Sequence, residues 1–123
     1  MTDTDTVPCR WTFGGKTYEV DSPVRAVIDG ETVTSMDDHG VAGRACVYAA
    51  LCDGIDDPET LSFARRSIGL GKDAMAARFG LPVDAFVDIE NNRENTARVS
   101  YVYLLRMWLK KSDRGTFAVR RVG

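Results

Sequence analysis

The sequence predicts an α+β fold: a small N-terminal antiparallel β region followed by five helices. Three observations predict it. Residues 10–36 alternate apolar and polar side chains and are broken at Gly14-Gly15 and Asp29-Gly30. Residues 41–54 are rich in alanine and end at Asp53-Gly54. Residues 57–111 fall into short helical stretches separated by Gly, Pro and Asn. Period-two alternation bounded by turn dipeptides reads as strands, and Ala-rich runs closed by Gly read as helices.

The β region comes first. Trp11 and Phe13 alternate with polar neighbours, then Tyr18 and Val20, then Val24, Ala26 and Ile28, and "ETVTSM" resumes after Asp29-Gly30. This predicts one small sheet of three or four short strands, lying against something larger because so small a sheet is not stable alone. Residues 1–9 are polar and are expected to be disordered or loosely attached. "SMDDHG" reads as a loop with a helix N-cap, and a helix follows from about Val41. That helix is apolar on most sides, which predicts burial.

The remaining helices have clearer ends. Asp57-Pro58-Glu59 supplies an N-cap, a first-turn proline and a first-turn acid. Leu61, Ala64 or Phe63, and Ile68 mark its inner face. "KDAMAARF" makes about two turns, Leu81-Pro82 breaks the chain, and "VDAFVDIEN" resumes it. "NNRENT" is a polar loop. Residues 97–111 form the most strongly patterned helix, closed by Lys110-Lys111. The tail "SDRGTFAVRRVG" either adds a strand or hangs free. The expected division is 1–54, a β-rich region with a linking helix, and 55–123, a helical domain with a C-terminal tail.

Composition sets the class. With 44% hydrophobic and 28% charged residues the chain is globular rather than disordered. The longest apolar run, residues 45–51, is far below the roughly 20 residues of a membrane helix. The acidic N-terminus has no apolar core, so no signal peptide is expected. The expected compartment is the cytoplasm. Net charge is −2, but it is unevenly spread. Residues 1–62 hold four Lys/Arg and twelve Asp/Glu, a net of −8; residues 63–123 hold twelve and six, a net of +6. Such asymmetry suggests two regions with different partners.

Cys9, Cys46 and Cys52 include no C-x-x-C pair, and the one histidine is His39. That spacing fits no finger or knuckle, so no metal is expected. His39 with Asp37-Asp38 lacks a nucleophile and a phosphate loop, and no constellation points to an enzyme.

The segment 72–91 has helix-turn-helix spacing. Ala76 is the small residue at the helix contact, and Gly80, four residues on, suits the left-handed turn. Met75 and Phe79 point inward from the first helix, and Leu81, Phe86 and Ile89 from the turn and second helix. On these residues the chain resembles the Xre-type helix-turn-helix module. In particular, "RRSIGLGKDAMAARFGLPVDAFVDIENNREN" looks like the C-terminal domain of MqsA-type antitoxins of type II toxin–antitoxin systems. "TFGGKTYEV" is loosely similar to the N-terminal domain of that family.

The resemblance implies a transcription regulator that binds operator DNA as a homodimer. It implies a toxin or other protein partner at the acidic N-terminal half, where opposite charge would steer association. The family's N-terminal domain carries two C-x-x-C pairs, so this chain resembles a version without zinc or other cofactor. The DNA-contacting positions map onto Val83, Asp84, Val87 and Asp88, with Lys72 at a phosphate position and Arg93 in the loop beyond. Arg65, Arg66, Arg78, Arg93 and Arg98 form either a phosphate-contacting rim or an ordinary solvated surface. Arg120 and Arg121 in the tail serve solubility. The terminal helix implies a dimer face at Tyr101, Leu104, Leu105 and Trp108. Aspartates beside phosphates repel, so Asp84 and Asp88 favour an alternative: a protein-binding antitoxin or adaptor on the same fold.

Overall fold

The computed structural model describes residues 6–24, 26–112 and 117–122. It has an α+β fold with a small antiparallel sheet and five helices. Strands β1 (Thr6–Phe13) and β2 (Lys16–Pro23) form a hairpin. The turn is Gly14-Gly15, with φ of 55° and 81°. Two consecutive positive φ values give the primed turn whose twist matches that of the strands. Strands β3 (Ala26–Ile28) and β4 (Glu31–Val33) form a second hairpin across Asp29-Gly30.

The two hairpins do not join into the single sheet expected for residues 10–36. The third strand of the larger sheet is β5 (Arg120–Val122), giving the order β1-β2-β5. Alternation identifies strands but not their partners. The tail thus adds a strand, with Thr17 opposite Val122 and Glu19 opposite Arg120. Residues 6–9, expected to be loose, are the first half of β1, paired with residues 20–23. Residues 1–5 lie outside the described residues.

Helix α1 (Met36–Cys52) begins five residues before the expected start. Ser35 caps it, its hydroxyl accepting from the Asp38 amide at 3.0 Å. Asp37 and Asp38 sit in the first turn, where the helix dipole favours acids. The stretch expected as a loop is therefore the helix's opening turns. This helix is the centre of the molecule. Tyr18, Val20 and Ser22 project from one face of β2, and α1 packs against β1 and β2. It also packs on α2 (Pro58–Ser67) and α5 (Arg98–Ser112). Ala42, Cys46, Val47, Ala49 and Ala50 are all buried. Small side chains on several faces let three neighbours approach one helix.

Helices α3 (Lys72–Phe79) and α4 (Val83–Asn91) complete the fold. One continuous core runs from Phe13 and Tyr18 in the sheet to Leu105 and Leu109 in α5. The β-rich region and the helical region share it.

Arg120 and Arg121 do more than keep the tail soluble. The Arg120 guanidinium takes Asp21 with two bonds of 2.7 and 2.9 Å, and also bonds Glu19, which Arg10 engages too. Arg121 grips Asp53 at 2.7 and 2.8 Å and lies over the Tyr18 ring. The tail arginines thus neutralise acids of the N-terminal region within the molecule.

Candidate nucleic-acid interface

The helix-turn-helix unit is built from α3, a tight turn and α4. Helix α3 ends at Gly80, whose φ of 66° is left-handed. The Leu81 amide folds back to the Ala76 carbonyl at 2.9 Å and the Gly80 amide to Ala77 at 3.1 Å, satisfying carbonyls that the helix end would orphan. Pro82 then caps α4 with φ near −60°. Met75, Ala76, Phe86 and Ile89 are buried between the helices. Phe79 stacks on Phe86 at 6.3 Å, and Tyr101 of α5 meets Phe86 edge-on at 5.4 Å. Offset and edge-on aromatic pairs are favourable beyond the area they bury.

Behind α4 lies a polar contact inside this core. Arg65 of α2 donates to Glu90 of α4 at 2.9 and 3.2 Å. The same guanidinium reaches the Leu70 carbonyl at 2.9 Å and Ser62 at 3.2 Å. The Tyr101 hydroxyl donates to Glu90 at 2.6 Å. Burial and that bond push the Tyr101 phenol up, while Glu90 raises Arg65. Three helices are thereby locked behind the turn.

On the outer face of α4, Val83, Asp84 and Asp88 are exposed and Val87 is half-buried. Asp88 is engaged by its own chain: the Asn95 side-chain amide donates to it at 2.7 Å, fixing the loop after α4. Lys72 is exposed at the start of α3. It shares a cavity of about 430 Å³ with Asp57, Glu90 and Asn91, beside the far end of α4 from Val83 and Asp84. Arg93 is exposed in the loop between α4 and α5.

The arginine rim differs from expectation. Arg65 and Arg98 are both only 3% exposed, so neither belongs to an outer rim. Arg65 is consumed by Glu90, and Arg98 turns inward to the Asp56 carbonyl. Arg66, Arg78 and Arg93 remain outside, Arg78 with its guanidinium over the Trp108 ring at 5.5 Å.

Of the four residues expected at a dimer face, two are not at the surface. Tyr101 and Leu105 are buried in the chain's own core, and Leu104 and Trp108 are half-buried. The apolar side chains that α5 presents outward are Val99, Tyr103 and Met107, at 78%, 60% and 48% exposure. Spacing of four places them along one stripe. A sequence pattern apolar nearly all round leaves open which stripe faces out.

Among the described residues no group of three or more His, Cys, Asp or Glu is placed to hold a metal ion. Cys46 is buried, Cys9 half-buried and Cys52 exposed. His39 packs on Trp11 at 4.9 Å. Among the described residues no helix is long and apolar enough to cross a membrane.

No known protein family, curated protein or solved structure matches the chain.

Proposed function

We propose that the chain is an antitoxin-like helix-turn-helix transcription regulator that binds operator DNA as a homodimer. The observation that supports this most is the α3–Gly80–α4 unit, buried on one side and leaving the outer face of α4 open. A helix held this way can lie in a major groove. Lys72 and Arg93 contact phosphates, Val83 and Val87 touch base edges, and Asp84 accepts from cytosine N4. Val99, Tyr103 and Met107 form the dimer contact.

The test is binding to a duplex from upstream of the chain's own gene, measured against salt. Affinity should fall steeply as salt rises, and Lys72→Glu or Arg93→Glu should each reduce the log–log slope by about 1. No binding at low salt sinks the reading.

A protein-binding antitoxin or adaptor on the same fold is the second reading. It is favoured by Asp84 and Asp88 on α4 and by the β3–β4 hairpin, where Val27 is 65% exposed beside acidic Asp29 and Glu31. Glu19, Asp21 and Asp53 are already engaged by arginines of the same chain, so a basic partner would meet the hairpin instead. Retained partner capture with no duplex binding would favour this reading.

A further inference from the structure

The start of α5 holds a feature that the helix-turn-helix reading uses only through Arg93. A cavity of about 380 Å³ opens there, with Arg93, Arg98 and Arg106 in its wall. Arg98 is the buried member. Its Nη2 donates to the Asp56 carbonyl, while Nε and Nη1 have no hydrogen-bond partner among the described residues. No described carboxylate forms an ion pair with any of the three arginines. One acidic residue, Asp56, is among those lining the wall. Three arginines therefore share the wall with one acidic residue.

A buried guanidinium with two unmet donors is costly unless an anion completes it. Arg98 and Arg106 are eight residues apart on α5, so both lie along one face with Val102 between them. Arg93 approaches from the preceding loop. The N-terminal end of the 15-residue α5 adds its positive dipole. The planar, two-pronged guanidinium matches phosphate oxygens, and the volume suits a phosphate group with part of its bearer.

We propose that Arg98, with Arg106 and Arg93, forms a seat for a phosphate group. The bearer is either a free phosphate or a nucleic-acid backbone. The chemistry of the seat is the same for both, and the seat does not depend on the regulator reading.

The test is an NMR titration of the intact chain with inorganic phosphate, following the Arg98 Nε–H signal and the amides of residues 93–99. Saturable shifts are expected, larger than with chloride at matched ionic strength. Arg106→Gln and Arg93→Gln alter exposed side chains and should leave the fold intact. Arg106→Gln should weaken phosphate roughly tenfold, the loss of one charge-assisted contact. Arg98→Gln should abolish the response. An absent or chloride-like response at Arg98 overturns the proposal, as does unchanged affinity in both exposed variants. A duplex that displaces phosphate identifies the nucleic-acid backbone as the bearer. Phosphate binding without duplex competition identifies a free phosphate, and a failure to bind duplex then counts against the regulator reading alone.

Discussion

Arg65 and Glu90 face each other through two parallel bonds inside the protein, joining α2 to α4 with both side chains 3% exposed. Neither residue faces solvent, so the pair is a structural clamp on the helix that the proposed function presents to DNA. Removing one member leaves a buried charge without a partner. Glu90→Gln is expected to cost about 3–5 kcal/mol in denaturant unfolding. Arg65→Met with Glu90→Leu should cost much less than the two single changes added together, because no charge is stranded. Tyr101→Phe should cost about 1–3 kcal/mol, since it removes one bond to a buried carboxylate.

Two glycines should respond differently to alanine. Gly80 has open space where a Cβ would stand, so Gly80→Ala meets only the left-handed backbone penalty, about 1–2 kcal/mol. At Gly14 φ is also positive, and a Cβ would come within 2.7 Å of the Ile55 Cγ2. Gly14→Ala should therefore be the more destabilising, and thermal melts of both variants check the order.

The tail should loosen in acid. Arg120, Arg10 and Arg121 hold Glu19, Asp21 and Asp53 below the ordinary carboxylate range, Asp53 to about 2 through Arg121 first and Tyr18 second. A carboxylate depressed in the folded state stabilises above its unfolded value, near 4, and loses that contribution as pH falls toward 2. The pairs lie at the surface, so solvent screens them and the loss should be confined to the tail strand. The Val122 methyl signals should move toward free-chain positions across that window before the core resonances change. Simultaneous loss of both would contradict the expectation.

Thiol reactivity should follow burial. Burial, with a smaller contribution from Cys9, pushes the Cys46 thiol up to about 12. Burial, then Asp21, raises Cys9. A soluble alkylating reagent should label Cys52 first, Cys9 more slowly, and Cys46 only on unfolding. Labelling of Cys46 at the rate of Cys52 would mean that α1 is not packed as described.

Local chemistry was readable along the chain and distant partnership was not. Asp57 accepts from Thr60 as an N-cap should, Gly80 takes the left-handed turn, and both hairpin turns fall at their dipeptides. These depend on a few adjacent residues. Arg65 and Glu90 are 25 positions apart, and a charged side chain on a helix looks the same whether it meets water or a buried partner. The same ambiguity hid Arg98, whose burial follows from how α5 sits against the loop at Asp56. Tyr103 and Tyr101 are two residues apart and equally aromatic, yet only packing decides which is covered.

The pairing of β2 with β5 joins residues 101 positions apart, as Glu19 and Arg120 show. Nearly the whole chain must be ordered, or its loop closed, before that strand can dock. Helices and the β1–β2 hairpin can form from near neighbours, but the outer edge of β2 waits. During refolding this edge is a row of unpaired backbone groups open to another chain. The sheet should therefore be completed last. Crowded refolding should yield intermolecular strand pairing at β2, and added peptide of β5 sequence should suppress it.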